Sequence, residues 1–366
     1  LKNFKRTLFM CETSPFSQYV GRALECHPLH FRGGICVWHR PPTIRTGALR
    51  VFINGCFDLV HAGHFNAIRQ AQQVGASCGR PVHVVVGVHS SAAILLRKGP
   101  TTMTDLERGI VVAGARWTSE LVTDLPYIEL GVDLLDTLQA DFIVHGDDVV
   151  VVAGGAGMFD EARDAQRLKV VKRTEGLSTT TLLNRMLGGQ SGHLCGMLAT
   201  TQRLLDFGPD PSQRPRNPDN VVYLAGDWDL FNAGHVEVLW HAAQFGTLVV
   251  GVFDDIVAEE VLGEVPIYAL MERVMCVLPM RCVADVIIGA PKLVTTEFVA
   301  ALNIRTVFGH CDVDGVRIEP PRVPSLTRQI LVQRVRDSRG EYVVRNETCI
   351  AKEQSYVSNK SFVEES

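Results

Sequence analysis

The sequence predicts an α/β protein with two tandem domains, each built on a parallel sheet and related by internal duplication. Short apolar runs rich in β-branched residues alternate with stretches that place apolar residues on one helical face, a pattern typical of parallel sheets covered by helices. One segment occurs twice: NGCFDLVHAGH begins at residue 54 and AGDWDLFNAGH at residue 225. The 366 residues are enough for two domains of ordinary size.

The repeat continues well beyond this segment. Its matched residues lie 171 positions apart near its start, 165 further on and 149 near its end. They include Asp58 and Asp229, Gly63 and Gly234, His64 and His235, Glu107 and Glu272, and Arg185 and Arg334. A repeat of this length, with few changes of spacing, indicates duplication of a whole domain rather than a short stacking unit.

The first copy is expected to alternate strands with helices. The strands are Val51–Asn54, Val82–Val88, Phe142–His145 and Lys169–Val171, and the helices are Gly63–Val74 and Asp105–Ala115. These signals divide the chain into a basic N-terminal extension (1–46), a first domain (47–187), a linker (188–219) with a helical piece near Leu204–Phe207, a second domain (220–336) and a polar C-terminal tail (337–366). In such sheets, ligands bind at the carboxyl ends of the strands.

Composition excludes several functional classes. The chain is 46% hydrophobic and 21% charged, and its net charge of −4 gives no electrostatic basis for binding nucleic acid. Its apolar runs are far shorter than the roughly 18 residues of a membrane helix. Ten cysteines without a C-x-x-C pair favour a reducing, cytoplasmic setting. The cysteines and histidines of residues 26–39 match no familiar zinc spacing, so no protein-bound metal is predicted.

The motif His61-Ala62-Gly63-His64 stands between a predicted strand and a predicted helix. The free N–H groups and the dipole at a helix N-terminus favour an anion. Two imidazoles three residues apart lie on one side of the first turn, and Gly63 lets a phosphate approach the backbone. An isolated H-x-G-H would more often be an exposed helix start, so its weight depends on a second motif.

That second motif is RTEGLSTT, from Arg173 to Thr180, which also follows a short apolar strand and opens a helix. One of its hydroxyl residues could simply cap that helix. Together with Arg173, however, the hydroxyls and the helix dipole would also hold the β- and γ-phosphates of a nucleotide. Lys98, expected in a loop after the second strand, adds a mobile positive charge.

Taken together, these motifs resemble those of the cytidylyltransferase family, in which H-x-G-H and R-T-x-G-[IVL]-S-T-T are the two signatures. The resemblance covers both copies, roughly residues 49–336. It implies a Rossmann-like nucleotidyltransferase fold in each domain, Mg2+ with CTP, and transfer of the cytidylyl group to a phosphomonoester. The tandem arrangement is similar to that of the members acting on phosphoethanolamine, which form CDP-ethanolamine for phosphatidylethanolamine synthesis. Choline and glycerol-phosphate relatives carry a single domain.

The resemblance also implies roles for individual residues. The catalytic residues would be His61, His64, Lys98 and Arg173. The residues implied to bind CTP or the acceptor are Gly55, Phe57, Asp58 and Gly63 around the first motif, the aromatic residues Trp117 and Tyr127, His145, Gly146, Asp147 and Asp148 at the cytosine, and Gly176, Ser178, Thr179 and Thr180 in the second motif. Trp117 lies in a helical pattern and could equally belong to the core.

Two departures from the family pattern leave the acceptor open. Ser90-Ser91 stands where relatives often have a Thr-Asp pair, and Ser119 stands where they tend to have Asp. The alternatives are a cytidylyl- or adenylyltransferase of the same superfamily acting on phosphocholine, glycerol-3-phosphate or another phosphomonoester, and a nucleotide-binding regulator without activity. The choline enzyme would add a long amphipathic membrane helix, which the sequence does not show. A homodimer is a further open arrangement.

The second copy lacks several of these groups. Asn232 stands in place of the first histidine, the lysine has no counterpart, and the hydroxyl residues of the second motif become Thr327, Arg328 and Gln329. We therefore expect the second half not to turn over, and to complete or regulate the first.

Overall fold

The structure is a computed structural model that describes most of the chain. The described ranges are 28–32, 35–39, 47–76, 79–127, 131–147, 158–174, 177–189, 201–210, 219–309 and 311–360, with side chains left out for 28–39 and 352–360. Most of the basic N-terminal extension, including its candidate zinc residues, therefore lies outside the described side chains. Within these ranges, no helix combines the length and the apolar composition that a bilayer crossing requires.

The described strands and helices alternate through both halves. The strands are β1 (Pro28–Arg32), β2 (Ile35–His39), β3 (Leu49–Gly55), β4 (Val82–His89), β5 (Glu120–Leu125), β6 (Phe142–Gly146), β7 (Leu168–Val171), β8 (Val221–Gly226), β9 (Thr247–Val252), β10 (Val283–Ile288), β11 (Ile304–Phe308) and β12 (Arg317–Glu319). The helices are α1 (Ala62–Gln73), α2 (Ser91–Lys98), α3 (Asp105–Gly114), α4 (Val132–Thr137), α5 (Asp160–Asp164), α6 (Thr179–Met186), α7 (Thr201–Phe207), α8 (Ala233–Ala243), α9 (Asp255–Leu262), α10 (Leu270–Val277), α11 (Thr296–Leu302), α12 (Arg328–Asp337) and α13 (Arg339–Lys360).

The two halves fold into parallel sheets with the same strand order. The first half has the order β5-β4-β3-β6-β7, and the second has β10-β9-β8-β11-β12, with parallel pairing throughout both sets. In each sheet the strand order reverses beside the first strand, between β3 and β6 or between β8 and β11. Doubly wound folds bind ligands at this switch point. The predicted fold class, tandem duplicated α/β domains, is confirmed.

Burial explains why the predicted strands form. The central strands β3 and β4 are almost continuously apolar and are buried on both faces by helices. Strand β5 was not predicted because Glu120 and Thr123 interrupt its apolar pattern. Glu120 is nevertheless buried, and it forms an ion pair with Arg50 and a hydrogen bond with His83 Nε2, both at 3.0 Å.

Described parts of the predicted N-terminal extension and C-terminal tail form regular secondary structure. Strands β1 and β2 form a hairpin that extends the first sheet, where β2 pairs antiparallel with β5. The segment interpreted as a polar C-terminal tail contains α13, and Tyr342, Arg345 and Asn346 on this helix are buried. Helix α13 packs on α2 and α6. Its polar composition includes charged side chains that bond to the first half.

The two halves meet through reciprocal contacts that repeat under the internal duplication. The guanidinium of Arg185 forms two hydrogen bonds with the carboxylate of Glu272, at 2.6 and 3.1 Å. Arg334 forms the matching pair with Glu107, at 2.7 and 2.9 Å. Since Arg334 corresponds to Arg185 and Glu272 to Glu107, the chain folds as an internal dimer of its own repeat.

The same symmetry organises the centre of the interface. Arg116 and Arg281, which correspond to each other, donate to backbone carbonyls of the opposite half. Between them, Ala115 and Met280 form an antiparallel bridge. One hydrophobic cluster runs through both halves and includes Ile110, Val111 and Met275. The halves therefore share a hydrophobic core and are not independent domains joined only by a linker.

Replacing Arg185 with Met should lower the free energy of unfolding by about 3–5 kcal/mol, because it leaves the buried carboxylate of Glu272 without its partner. Urea unfolding followed by circular dichroism measures this loss. The control is Arg163→Met, which breaks the exposed pair with Asp160 and should cost less than about 1 kcal/mol. Equal effects of the two substitutions would contradict the role given to the interface.

Candidate active site

The candidate site lies at the carboxyl edge of the first sheet, where β3 ends at Gly55. The chain then turns into α1 through Phe57 and Leu59, which adopt left-handed backbone conformations with φ of 51° and 45°. The matching residues of the second half, Trp228 and Leu230, have φ of 57° and 47°. Since bulky residues rarely adopt this conformation, the shared turn is a specific structural requirement of both copies.

His61 caps the N-terminus of α1. Its Nδ1 accepts a hydrogen bond from the Gly63 N–H at 3.1 Å, and Nδ1 of His64 accepts one from the His61 N–H at 3.4 Å. The two rings stack with their centroids 3.9 Å apart. Because each Nδ1 is an acceptor, each neutral ring carries its proton on Nε2. Each ring therefore has an Nε2–H group that can act as a donor.

Both imidazoles are held in the neutral form. Burial lowers the pKa of His64 to about 3 and lowers that of His61 well below 6.5. The nearby charge of Arg173 acts in the same direction on both rings, and Lys98 does so on His64, while Asp58 opposes it there. Neutral imidazoles cannot serve as cationic acids near pH 7, so the histidines are hydrogen-bond donors.

Gly55, Phe57 and Gly63 shape the turn that carries the histidines. The buried Phe57 ring lies 5.5 Å from the His64 ring, measured between centroids. A side chain at Gly55 would meet the Phe57 ring at 3.1 Å, and one at Gly63 would meet the His61 ring at 3.0 Å. The two glycines therefore leave room for the rings that orient the donors.

The second motif packs directly against the first. The side-chain amide of Asn66 in α1 donates to Thr174 Oγ1 at 3.0 Å, and the Thr179 hydroxyl donates to the backbone carbonyl of Asp58 at 2.9 Å. Ser178 caps α6, since its Oγ accepts a backbone N–H of the first turn at 3.2 Å. Helices α1 and α6 thus begin side by side, and the positive ends of their dipoles lie together.

The remaining residues of the second motif lie at the same edge. Thr180 is half-buried in the first turn of α6, and the side chain of Arg173 is exposed to solvent. Gly176 lies outside the described residues. The structure therefore brings together Arg173, the hydroxyl residues and the two histidines, as the sequence analysis required.

The segment implied to recognise cytosine joins this arrangement at the end of β6. The His145 ring packs against Phe159 with centroids 4.4 Å apart, and Gly146 ends the strand. The carboxylate of Asp147 accepts the backbone N–H of Arg173 at 3.0 Å, which connects the segment to the second motif. Asp148 lies outside the described residues.

Lys98 ends helix α2 and does not lie in a loop, which corrects the expectation from the sequence. Ser90 caps this short helix by accepting the Ala93 N–H at 3.2 Å, a role that its identity as serine supports directly. The Lys98 ammonium lies 5.7 Å from the ring centroid of Tyr127, the residue that follows β5. Cys56 and Tyr127 raise the pKa of Lys98 above 10.5, so the side chain is positively charged.

Asp58, which the resemblance implies to bind CTP or the acceptor, has protein partners on both carboxylate oxygens, and its implied role stays a prediction. Its buried carboxylate accepts the N–H groups of Thr102 and Met103 at 3.0 and 3.1 Å and the Thr102 hydroxyl at 2.7 Å. It also pairs with the guanidinium of Arg345 at 3.1 Å. Asp58 therefore holds the segment after Lys98 against the first motif.

Trp117 does not lie at the site, and the prediction for it is wrong in this respect. It stands between α3 and β5, at the amino edge of the parallel strands, whereas the histidines lie at the carboxyl edge. Its ring packs edge-to-face on Phe207 with centroids 5.7 Å apart. Ser119 lies at the same amino edge and bonds to the backbone of Val84, so this departure from the family pattern lies at the opposite edge of the sheet from the histidines.

Arg108 is a residue of the site that the sequence analysis missed. Its fully buried guanidinium donates to the carbonyls of Cys56 and His89, at 2.5 and 2.8 Å, and to the carboxylate of Asp105 at 2.6 Å. Asp105 in turn accepts the N–H of Ser91 at 2.7 Å. Arg108 thereby fixes the ends of β3 and β4 on either side of the site. The sequence could have indicated the importance of Arg108, because its Glu-Arg dipeptide recurs in both copies.

Several known proteins are similar to this chain. Residues 52–203 match the family model described as Cytidylyltransferase-like. Ethanolamine-phosphate cytidylyltransferase from Dictyostelium discoideum is 35% identical, over 86% of this chain and 98% of its own length. The enzymes of that name from Arabidopsis thaliana and Mus musculus are 32% and 30% identical, over 86% and 84% of this chain and 86% and 91% of their own lengths.

The chain belongs to the ethanolamine-phosphate cytidylyltransferase family. Because the matches cover 84–86% of the chain, they extend through the second half as well as the first. The second half of this family member keeps the fold of the first but not all of its donors. Asn232 replaces His61 as the helix cap, and its Oδ1 accepts the Gly234 N–H at 2.9 Å. Its Nδ2 turns inward and donates to a backbone carbonyl at 2.9 Å.

The space that would receive a phosphate in the second half is filled by the chain itself. A Cβ at Gly234 would lie 1.9 Å from the carbonyl oxygen of Leu326, whereas the nearest atoms at Gly63 belong to the His61 ring and to Thr174. The guanidinium of Arg328 pairs with Asp229 at 2.7 Å and with Glu264 at 2.5 Å. The positive charge of Arg328 is therefore neutralised by carboxylates of its own half.

The stability of the free protein should depend on pH through its buried histidines. Because the pKa of His64 is about 3 when folded and 6.5 when unfolded, the unfolded chain binds an extra proton below pH 6.5, and stability falls as pH falls. Between pH 7 and 5 this group alone accounts for about 2 kcal/mol. His64→Gln should reduce the pH dependence of the free energy of unfolding, measured in urea, by that amount.

His235→Gln serves as the matched comparison, since burial also lowers the pKa of His235, to about 4. It should reduce the dependence by a similar amount. An unchanged pH profile in both variants would contradict neutral, buried imidazoles.

Proposed function

We propose that this chain transfers the cytidylyl group of CTP to phosphoethanolamine, giving CDP-ethanolamine and pyrophosphate for phosphatidylethanolamine synthesis. One observation carries the proposal: two motifs more than 100 residues apart meet at one edge of the first sheet. There His61 and His64 offer Nε2–H donors, and Lys98 and Arg173 supply positive charge. Hydrogen-bond donors and cations gathered in this way suit a polyphosphate.

The reaction is an in-line displacement at the α-phosphorus of CTP. A phosphate oxygen of phosphoethanolamine attacks, the bond from the α-phosphorus to the bridging oxygen breaks, and its electron pair leaves with pyrophosphate. The acceptor is already anionic, so the enzyme needs neither a covalent nucleophile nor a strong base. Catalysis then consists of alignment and of stabilising the charge that grows on the α-phosphate and the leaving group.

The side chains divide this work by their chemistry. His61 and His64 donate hydrogen bonds without changing protonation state, which suits a reaction that transfers no proton at the α-phosphate. Lys98 and Arg173 stay charged and approach from different elements, α2 and the segment before α6, so they can flank the triphosphate. The paired helix N-termini add fixed partial positive charge at the same place.

Mg2+ is proposed as the companion of CTP rather than as a resident ion. Among the residues that the structure describes, no group of three or more Asp, Glu, His and Cys side chains is placed to hold a metal ion. The oxygens of Asp58 are already engaged. These observations fit an ion coordinated mainly by triphosphate oxygens and water, where it would neutralise phosphate charge.

We further propose that the second half does not catalyse the reaction and that the protein works in the cytoplasm. A homodimer stays a prediction, to be tested by mass measurement in solution. The first point is supported by Arg328 and Leu326, which fill the space that CTP would need. For the second, the five cysteines whose side chains are described are free thiols, as a reducing compartment allows.

Replacing His64 with Ala should lower kcat by about 10²–10³, because one donor to the developing charge is lost. Pyrophosphate release with CTP and phosphoethanolamine measures this. The control is His235→Ala, which removes an imidazole with the same backbone contact in the second half and should leave kcat within about twofold. Similar losses in both variants would contradict the assignment of catalysis to the first half.

The identity of the acceptor is tested in the same assay with phosphoethanolamine, phosphocholine and glycerol-3-phosphate at equal concentrations. We expect phosphoethanolamine to give the highest kcat/KM. A higher value for either of the other acceptors would overturn the proposed substrate while keeping the chemistry. Binding of CTP without pyrophosphate release from any acceptor would instead favour a nucleotide-binding regulator.

A further inference from the structure

The segment that follows Lys98 is held from outside its own half. Three consecutive backbone carbonyls, those of Pro100, Thr101 and Thr102, each accept a hydrogen bond from the C-terminal helices. The donors are Arg345 Nη1 at 2.7 Å, the Tyr342 hydroxyl at 2.9 Å and Arg334 Nη1 at 3.1 Å. Carbonyls that point to donors in this way leave the segment little freedom to move.

Arg345 connects this segment to the first motif. The same Nη1 that bonds to Pro100 lies 3.1 Å from the Asp58 carboxylate, and both side chains are buried. The stem of Arg345 also packs on Gly99, where an added Cβ would lie 3.0 Å from the Arg345 Cβ. Gly99 has φ of 98°, so only glycine allows this close approach immediately after Lys98.

The internal symmetry shows that these contacts are an addition. Arg334 donates to the carbonyl of Thr102 in the first half. The matching residue Arg185 donates to the carbonyl of Ile267 in the second half, at 2.9 Å. The bonds from Tyr342 and Arg345 belong to α13, which packs on α2 and α6 of the first half. The extra restraint is thus applied to the half that carries the lysine.

We propose that α13 clamps the Lys98 segment, and that Arg345 is a positioning residue that sets the place of the Lys98 ammonium during cytidylyl transfer. The proposal rests on the proposed function. Arg345 is buried behind the segment and does not touch the triphosphate itself. Its effect on the reaction therefore passes through Lys98, which distinguishes it from a residue that only stabilises the fold.

The test is a double-mutant cycle with Arg345→Met and Lys98→Ala, measured as kcat and KM for CTP by pyrophosphate release. Arg345→Met alone should lower kcat about 10- to 100-fold, with a smaller change in KM. In the Lys98→Ala background it should lower kcat by less than about threefold, because the group that it positions is gone. Arg345→Lys, which keeps a donor and the charge, should recover part of the loss.

Two further variants complete the experiment. Arg339→Met removes an exposed donor from the start of the same helix, which bonds to the carbonyl of Leu187, and should leave kcat within about twofold. Tyr342→Phe removes one clamp hydroxyl and little else. It should lower kcat a few-fold, again only when Lys98 is present, and it replaces Arg345→Met in the cycle if that variant does not fold.

Equal fold losses with and without Lys98 would overturn the proposal, because additivity is expected of an independent structural role. Unchanged kcat in Arg345→Met and Tyr342→Phe would also overturn it. The unaltered protein is assayed separately. Absence of pyrophosphate release from it would contradict the proposed function rather than the role of Arg345.

Discussion

The reciprocal ion pairs between the halves are the constraint on which the rest of the molecule depends. Arg185 reaches Glu272 and Arg334 reaches Glu107, and each arginine also bonds to a backbone carbonyl of the opposite half. Burying such charges is favourable only when both partners are present and fully bonded. Neither copy of the repeat can therefore keep its own loop geometry without the other, which explains why a half with altered donors remains in the chain.

The charge arrangement at the site follows from this scaffold. Burial keeps the histidines neutral, while Lys98 and Arg173 retain their charge at the solvent edge. Hydrogen-bond donors that need no reorganisation stabilise a developing anion more effectively than groups that must first change protonation or position. The left-handed turn at Phe57 and the capping role of His61 fix those donors before any ligand arrives.

The sequence predicted the parts of this structure that local chemistry determines. The duplicated fold, the meeting of the two motifs and Ser178 as a possible cap all follow from residue type and spacing. Lys98 was placed in a loop because the eight residues of α2 are too few to show helical periodicity. Trp117 was assigned to the site by the family resemblance, and its position in the sequence does not tell at which edge of the sheet it emerges.

Contacts between distant segments escaped the sequence analysis altogether. Arg345 lies in a mostly polar stretch, and nothing in its composition indicates that it reaches Asp58, which stands 287 residues earlier. Arg108 was visible as part of a repeated dipeptide, but its bonds to the ends of two strands depend on the completed sheet. Such roles are set by tertiary neighbours and have no local pattern.

The two halves neutralise a buried aspartate in different ways, and the difference supports the proposal that only the first half binds CTP. Each copy buries an aspartate behind its histidine, and each supplies an arginine to balance it. In the second half that arginine is Arg328, at the position where the first half has Thr179, so the counter-charge occupies the space of the phosphates. The first half takes its arginine from α13, behind the lysine segment. This arrangement neutralises the charge of Asp58 without filling the proposed phosphate site. The anionic substrate would then balance the positive charge there.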